Sequence, residues 1–108
     1  MVDNAVKRIQ EIGGNSAHEA IAIKASKPVT QLKKGDMMKI DGVAVEVDAH
    51  YVLMDHGSTK EMAIEVFDSK KDKDYQIRYF DDQVESTLDV YELQEIMYMK
   101  KPVKSVSW

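Results

Sequence analysis

The stretch Gln31-Leu32-Lys33-Lys34-Gly35-Asp36-Met37-Met38-Lys39-Ile40-Asp41-Gly42-Val43-Ala44-Val45-Glu46-Val47 decides the fold. Val43, Val45 and Val47 recur every second residue, which puts them on one face of a strand. Asp41-Gly42 is a pair that tolerates positive φ, as a tight hairpin turn demands. The spacing therefore predicts residues 37–40 and 43–49 as the arms of a β-hairpin.

Working outward from this hairpin, residues 51–54 extend the second arm past a bend, and residues 55–60 form a loop by composition. Met62, Ile64 and Val66 then alternate with Glu61, Ala63 and Glu65 as in a half-buried strand. Residues 68–74 form a polar hairpin tip, and Tyr75, Ile77 and Tyr79 mark the next strand. After a connection over 81–87, residues 91–99 read as a closing strand, although 91–95 also fit a helical turn. Short strands at this spacing predict a mainly β fold, a small antiparallel barrel over 29–99. Residues 100–108 read as a tail, with Pro102 ending sheet pairing.

Ahead of the barrel, residues 1–28 read as a helical extension. Val2, Ala5, Val6, Ile9 and Ile12 share one helical face, and Gly13-Gly14 suits a left-handed helix end. Such a helix lies across an open end of the barrel or docks a partner. Ser16 and Glu19 have capping-box spacing, and alanines over 17–25 favour a helix ended by Ser26-Lys27-Pro28. Glu19, Ile21 and Ile23 also alternate like a strand.

With 108 residues, 44% hydrophobic and 31% charged, the chain has one domain's worth of core. A formal net charge of -4 works against strong non-specific binding to phosphates and leaves room only for local basic clusters. The cysteine count is zero, which rules out disulfides and thiolate chemistry and fits a reducing interior. No apolar run approaches the roughly 20 residues that span a bilayer. The start Met1-Val2-Asp3-Asn4 lacks the pattern of a secretory signal, so a cytoplasmic protein without a membrane partner is expected.

Four signals in order carry a resemblance: Leu32-Lys33-Lys34-Gly35-Asp36, Ile40-Asp41-Gly42, His56-Gly57-Ser58-Thr59-Lys60 and Phe67-Asp68-Ser69-Lys70-Lys71. Together they resemble the N-terminal SH3-like domain of the hypusine-bearing translation initiation factor of archaea and eukaryotes, the relative of bacterial elongation factor P. The resemblance implies an SH3-like barrel and a ribosomal or RNA partner. In that family a lysine immediately before a His-Gly pair carries an aminobutyl extension that reaches the peptidyl-transferase region. Here that position is Asp55. A carboxylate has no amine to modify, so the resemblance implies a barrel with altered duties. The family's second, oligonucleotide-binding-fold domain has no counterpart in these residues, and about 25 residues precede the barrel.

No catalytic, cofactor or metal site is predicted. His18, His50 and His56 are scattered, whereas a metal needs three or four converging ligands. The acids of 68–74 lack the glycine and terminal glutamate of a calcium loop. Phosphate-loop and nucleophile-elbow motifs are absent, so no enzyme is expected. The candidate RNA contacts are Lys33, Lys34, Lys70 and Lys71, with Lys39, Lys73, Lys100, Lys101 and Lys104 in the same clusters. Asp55, His56, Gly57, Ser58 and Lys60 form the candidate recognition loop. Against them stands an acidic stretch of Asp81, Asp82, Glu85, Asp89, Glu92 and Glu95. The alternative partner is a protein, held in a groove of Tyr75, Tyr79, Tyr91 or Tyr98 with nearby methionines.

Overall fold

Alternation of apolar and polar residues becomes a single curled sheet. The computed structural model describes residues 21–108, so the helix expected over residues 2–12 lies outside them. The strands are β1 (Ala22–Lys24), β2 (Met37–Ile40), β3 (Val43–Asp55), β4 (Lys60–Asp68), β5 (Lys73–Phe80), β6 (Asp89–Gln94), β7 (Met97–Lys100) and β8 (Ser105–Ser107). A 3-10 turn at Val29–Gln31 and one helical turn, α1 (Val84–Thr87), complete the described chain.

The spatial order is β1-β8-β2-β3-β4-β5-β6-β7, antiparallel throughout except for the parallel pair of β1 and β8. The sheet curls into a half-barrel and does not close, because β1 and β7 are not paired with each other. Its concave face carries the core. Met38 and Ile40, Val45 and Val47, Ile64 and Val66, Ile77 and Tyr79, Val90 and Val106 come from six successive strands and are all buried. Each such aliphatic side chain contributes roughly 1.5–3 kcal/mol by leaving water. Val29 and Leu32 from the 3-10 turn, and Leu88 after α1, pack onto the same cluster.

The Asp41-Gly42 turn forms as expected, with φ of 50° and 80° at its two residues. These are the paired positive values of a hairpin turn whose twist matches that of its strands.

Three expectations are corrected. Residues 22–24 are a strand and not part of a helix, since β8 offers a partner whose backbone bonds outweigh alanine's helix propensity. The presumed tail supplies that partner: Pro102 interrupts the chain after β7, but Ser105–Ser107 then runs between β1 and β2. Residues 91–99 are two strands, β6 and β7, because Glu95 takes a φ of 58° and turns the chain back.

Candidate nucleic-acid interface

The Lys33-Lys34-Gly35-Asp36 motif is a turn. Gly35 has a φ of 94°, and the Asp36 amide donates to the Lys33 carbonyl at 3.0 Å. That combination is a type II turn, whose third position favours glycine. Asp36 Oδ2 accepts from Lys27 Nζ and from the Lys33 amide, both at 3.0 Å, and these two bonds hold its carboxyl below the usual range. Lys33 and Lys34 are exposed and line a cleft of about 470 Å³ with Ala49, His50 and Met62.

His50 bridges two elements beneath this cleft. Its Nδ1 lies 2.8 Å from the Leu32 carbonyl, which only accepts, so Nδ1 carries the proton. In the neutral ring Nε2 then accepts from the Tyr79 hydroxyl at 2.7 Å. Burial, with a smaller contribution from Asp81, pushes the Tyr79 hydroxyl up to about 12.

Asp55 ends β3 and is exposed, with its carboxylate turned back onto its own loop. Its Oδ1 accepts from the Gly57 amide at 2.8 Å, and the His56 amide donates to the Thr59 carbonyl at 2.9 Å. Asp55 to Lys60 is thus a closed hairpin tip, with His56 tilted against Phe80 at a ring-centroid distance of 5.7 Å. The Lys60 amide donates to Asp81 Oδ1 at 3.0 Å. The Thr59 hydroxyl lies 3.0 Å from Asp81 Oδ1 and 2.7 Å from Asp82 Oδ1, and its one proton serves one of them at a time. The Lys60 amide first, then the Thr59 hydroxyl, hold the Asp81 carboxyl below its usual range. Lys60 opens β4, where its backbone pairs with Asp55, and the residue is half-buried.

Lys70 and Lys71 lie at the opposite end of the β3–β4 hairpin. The eight steps of β4 from Lys60 to Asp68 separate that end from the Asp55 loop by roughly 26 Å at about 3.3 Å per residue. The turn there is held by buried Asp68, whose Oδ1 accepts from the Lys70 and Lys71 amides at 2.9 and 3.3 Å. Lys70 and Lys39 line a cleft of about 560 Å³ with Met37, Val43, Glu46 and Phe67. Lys71 lines an adjoining cleft of about 220 Å³ with Lys101, Asp41 and Tyr75, and the two clefts share Val43, Val45 and Asp68.

The structure therefore gathers Lys39, Lys70, Lys71 and Lys101 at one end, and leaves Lys33 and Lys34 on a cleft that shares no lining residue with it. Among the described residues, Lys33, Lys34, Lys39, Lys70 and Lys71 have no carboxylate within 4.0 Å. Lys73 and Lys101 pair with Glu92 at 2.8 and 3.6 Å, and Lys100 pairs with Asp89 at 3.6 Å. Phe67 is the residue that reading by clusters missed. Its phase with Ala63 and Glu65 in β4 already places it on the outer face, opposite Glu46.

The tyrosines do not form one groove. Tyr75 and Tyr79 are buried in the core, whereas Tyr91 and Tyr98 are half-buried and face outward. On that outer face Tyr51 donates to Glu65 Oε2 at 2.5 Å, and Gln76 donates to Tyr51 Oη at 3.0 Å. Arg78 Nε donates to Gln76 Oε1 at 2.6 Å while its guanidinium stacks 4.0 Å over the Tyr91 ring. Burial first, then the Glu65 bond, push the Tyr51 hydroxyl up to about 12. No helix among the described residues is long and apolar enough to cross a membrane. Comparison with family models, curated proteins and solved structures finds no match to this chain.

Proposed function

We propose that the protein is a non-enzymatic relative of the SH3-like translation-factor barrel, acting in the cytoplasm by binding single-stranded RNA or a ribonucleoprotein. The observation that carries the reading is the end of the half-barrel where Lys39 and Lys70 line one cleft with Phe67 and Lys71 lines the adjoining one, none of the three with a carboxylate partner among the described residues. Unpaired ammonium groups meet phosphates without first giving up an ion pair, and the half-buried Phe67 ring on the cleft wall offers a base a surface to stack on. The displaced Asp55 position fits altered duties, since recognition here rests on the opposite end of the hairpin.

The test is fluorescence anisotropy with a mixed single-stranded RNA pool at several salt concentrations. Three phosphate contacts give a log–log salt slope of about −2, or roughly a 20-fold loss between 50 and 200 mM salt. The triple change Lys39→Glu, Lys70→Glu, Lys71→Glu is expected to abolish that slope, while Lys33→Glu with Lys34→Glu leaves most of it. Binding that is absent or insensitive to salt overturns the reading.

A second reading, a protein adaptor, draws on β7. This edge strand and the turn before it expose Ile96, Met97 and Met99. Capture of a partner from nuclease-treated extract, lost on Met97→Lys with Met99→Lys, separates it from the RNA reading.

A further inference from the structure

β3 outruns the strand beside it. β2 pairs with Val43 through Glu46, and Val47 exchanges backbone hydrogen bonds with Gly35 and Asp36 at 2.9 and 2.8 Å. Beyond that point, among the described residues, Ala49, His50, Tyr51, Val52, Met54 and Asp55 pair with β4 on one side and with no strand on the other. Backbone amides and carbonyls along such a side are an open template for another strand. Tyr51, Val52, Leu53 and Met54 run along it, exposed by 36%, 46%, 37% and 55%, with their side chains divided between the two faces of the sheet. An isolated exposed Leu means little, but four exposed apolar residues in a row on an unpaired edge mark an interaction surface.

We propose that this edge pairs with the same edge of a second copy of the chain, antiparallel about a two-fold axis at Val52, joining two half-barrels into one sheet. A two-fold contact requires a patch complementary to itself. In this register Val52 faces Val52, Tyr51 faces Leu53, His50 faces Met54, Ala49 faces Asp55, and Asp48 faces His56. No like charges oppose each other, and the outermost pair sets a carboxylate against an imidazole. Neighbouring registers are poorer. An axis at Tyr51 sets Asp48 against Met54 and Asp55 against Val47, whereas an axis at Leu53 sets His50 against His56. The register shift between Val52 and Met54 adds twist, which shortens the ladder. The dimer is consequently weak and depends on concentration. The proposal is independent of the RNA reading, which uses residues at the other end of the hairpin.

The chain contains no cysteine, so Val52→Cys introduces a single thiol. Residues facing each other across an antiparallel pair have Cα atoms about 4.5–5.5 Å apart, within disulfide range. Under mild oxidation, Val52→Cys is expected to form the intermolecular disulfide at least about tenfold faster than Glu85→Cys, a control on the exposed face of α1. In parallel, sedimentation velocity from micromolar to millimolar concentration is expected to show reversible dimerisation of the unchanged chain. Val52→Lys, which sets two ammonium groups against each other at the axis, is expected to weaken the dimer at least about tenfold with an unchanged circular dichroism spectrum. A chain that stays monomeric throughout, or thiols at 52 and 85 that cross-link equally fast, overturns the proposal. Should Val52→Lys fail to fold, the cross-linking comparison alone decides.

Discussion

His50 and Tyr79 form a polar pair inside an otherwise apolar face. Among the described residues, the Tyr79 hydroxyl is the hydrogen-bond partner of His50 Nε2, at 2.7 Å. Tyr79→Phe keeps the ring and strands that nitrogen, so it is expected to cost about 1–2 kcal/mol, read as a lower urea midpoint with an unchanged slope. The same hydroxyl sets an alkaline limit. Its folded value is raised from 10.0 to about 12, so between these limits the unfolded chain releases a proton that the folded chain keeps. Stability is therefore fully present below pH 10.0 and falls as pH rises towards about 12. Ultraviolet absorbance of tyrosinate alongside urea midpoints checks this, and the loss in that window should shrink in Tyr79→Phe.

At the scale of the element, the Asp41-Gly42 hairpin does more than reverse the chain. Asp41 Oδ1 accepts from the Lys104 and Ser105 amides at 2.7 and 2.9 Å, and its own amide donates to the Ser105 carbonyl at 2.9 Å. Asp41→Gly keeps the positive φ but removes the carboxylate, and is expected to cost about 1–3 kcal/mol. Hydrogen exchange at Lys104 and Ser105 should quicken in that variant and stay slow in Asp41→Asn, whose amide oxygen still accepts. This turn was legible in the sequence because its requirement is local: two residues with positive φ between alternating arms. The clasp on β8 was not, because 63 residues separate Asp41 from Lys104. The turn at Glu95 escaped for a related reason, since no glycine or asparagine marks it. The candidate site divides the same way. Lys33, Lys34, Lys70 and Lys71 stand out as charges, but only the folded sheet shows that Lys70 and Lys71 join Lys39, while Lys33 and Lys34 join His50.

For the molecule as a whole, the decisive join is made by residues 103–108. Among the described residues, β8 is the one strand that links β1 to the rest of the sheet, pairing with β1 through Ser105, Val106 and Ser107 and with β2 through Val106 and Ser107. Trp108 fastens the other side: its indole donates to the Lys27 carbonyl at 2.7 Å, its amide donates to the Lys24 carbonyl at 3.1 Å, and its carbonyl accepts from the Ser26 amide at 2.8 Å. Removing residues 103–108 deletes fully buried Val106, strips Val103 and Trp108 from the core margin and leaves β1 without a partner. Burial of Val106 alone is worth about 1.5–3 kcal/mol, and each backbone bond adds about 1 kcal/mol. The sum reaches the lower part of the roughly 5–15 kcal/mol that holds a small domain together. The shortened chain is therefore expected to lose its cooperative urea transition, whereas Val106→Ala keeps it at a midpoint lowered by about 1–3 kcal/mol. Trp108→Phe, which removes the indole donor and little else, is expected to cost about 1 kcal/mol. A shortened chain that unfolds at the midpoint of the full one would mean that β1 and β8 are appended to a half-barrel complete without them.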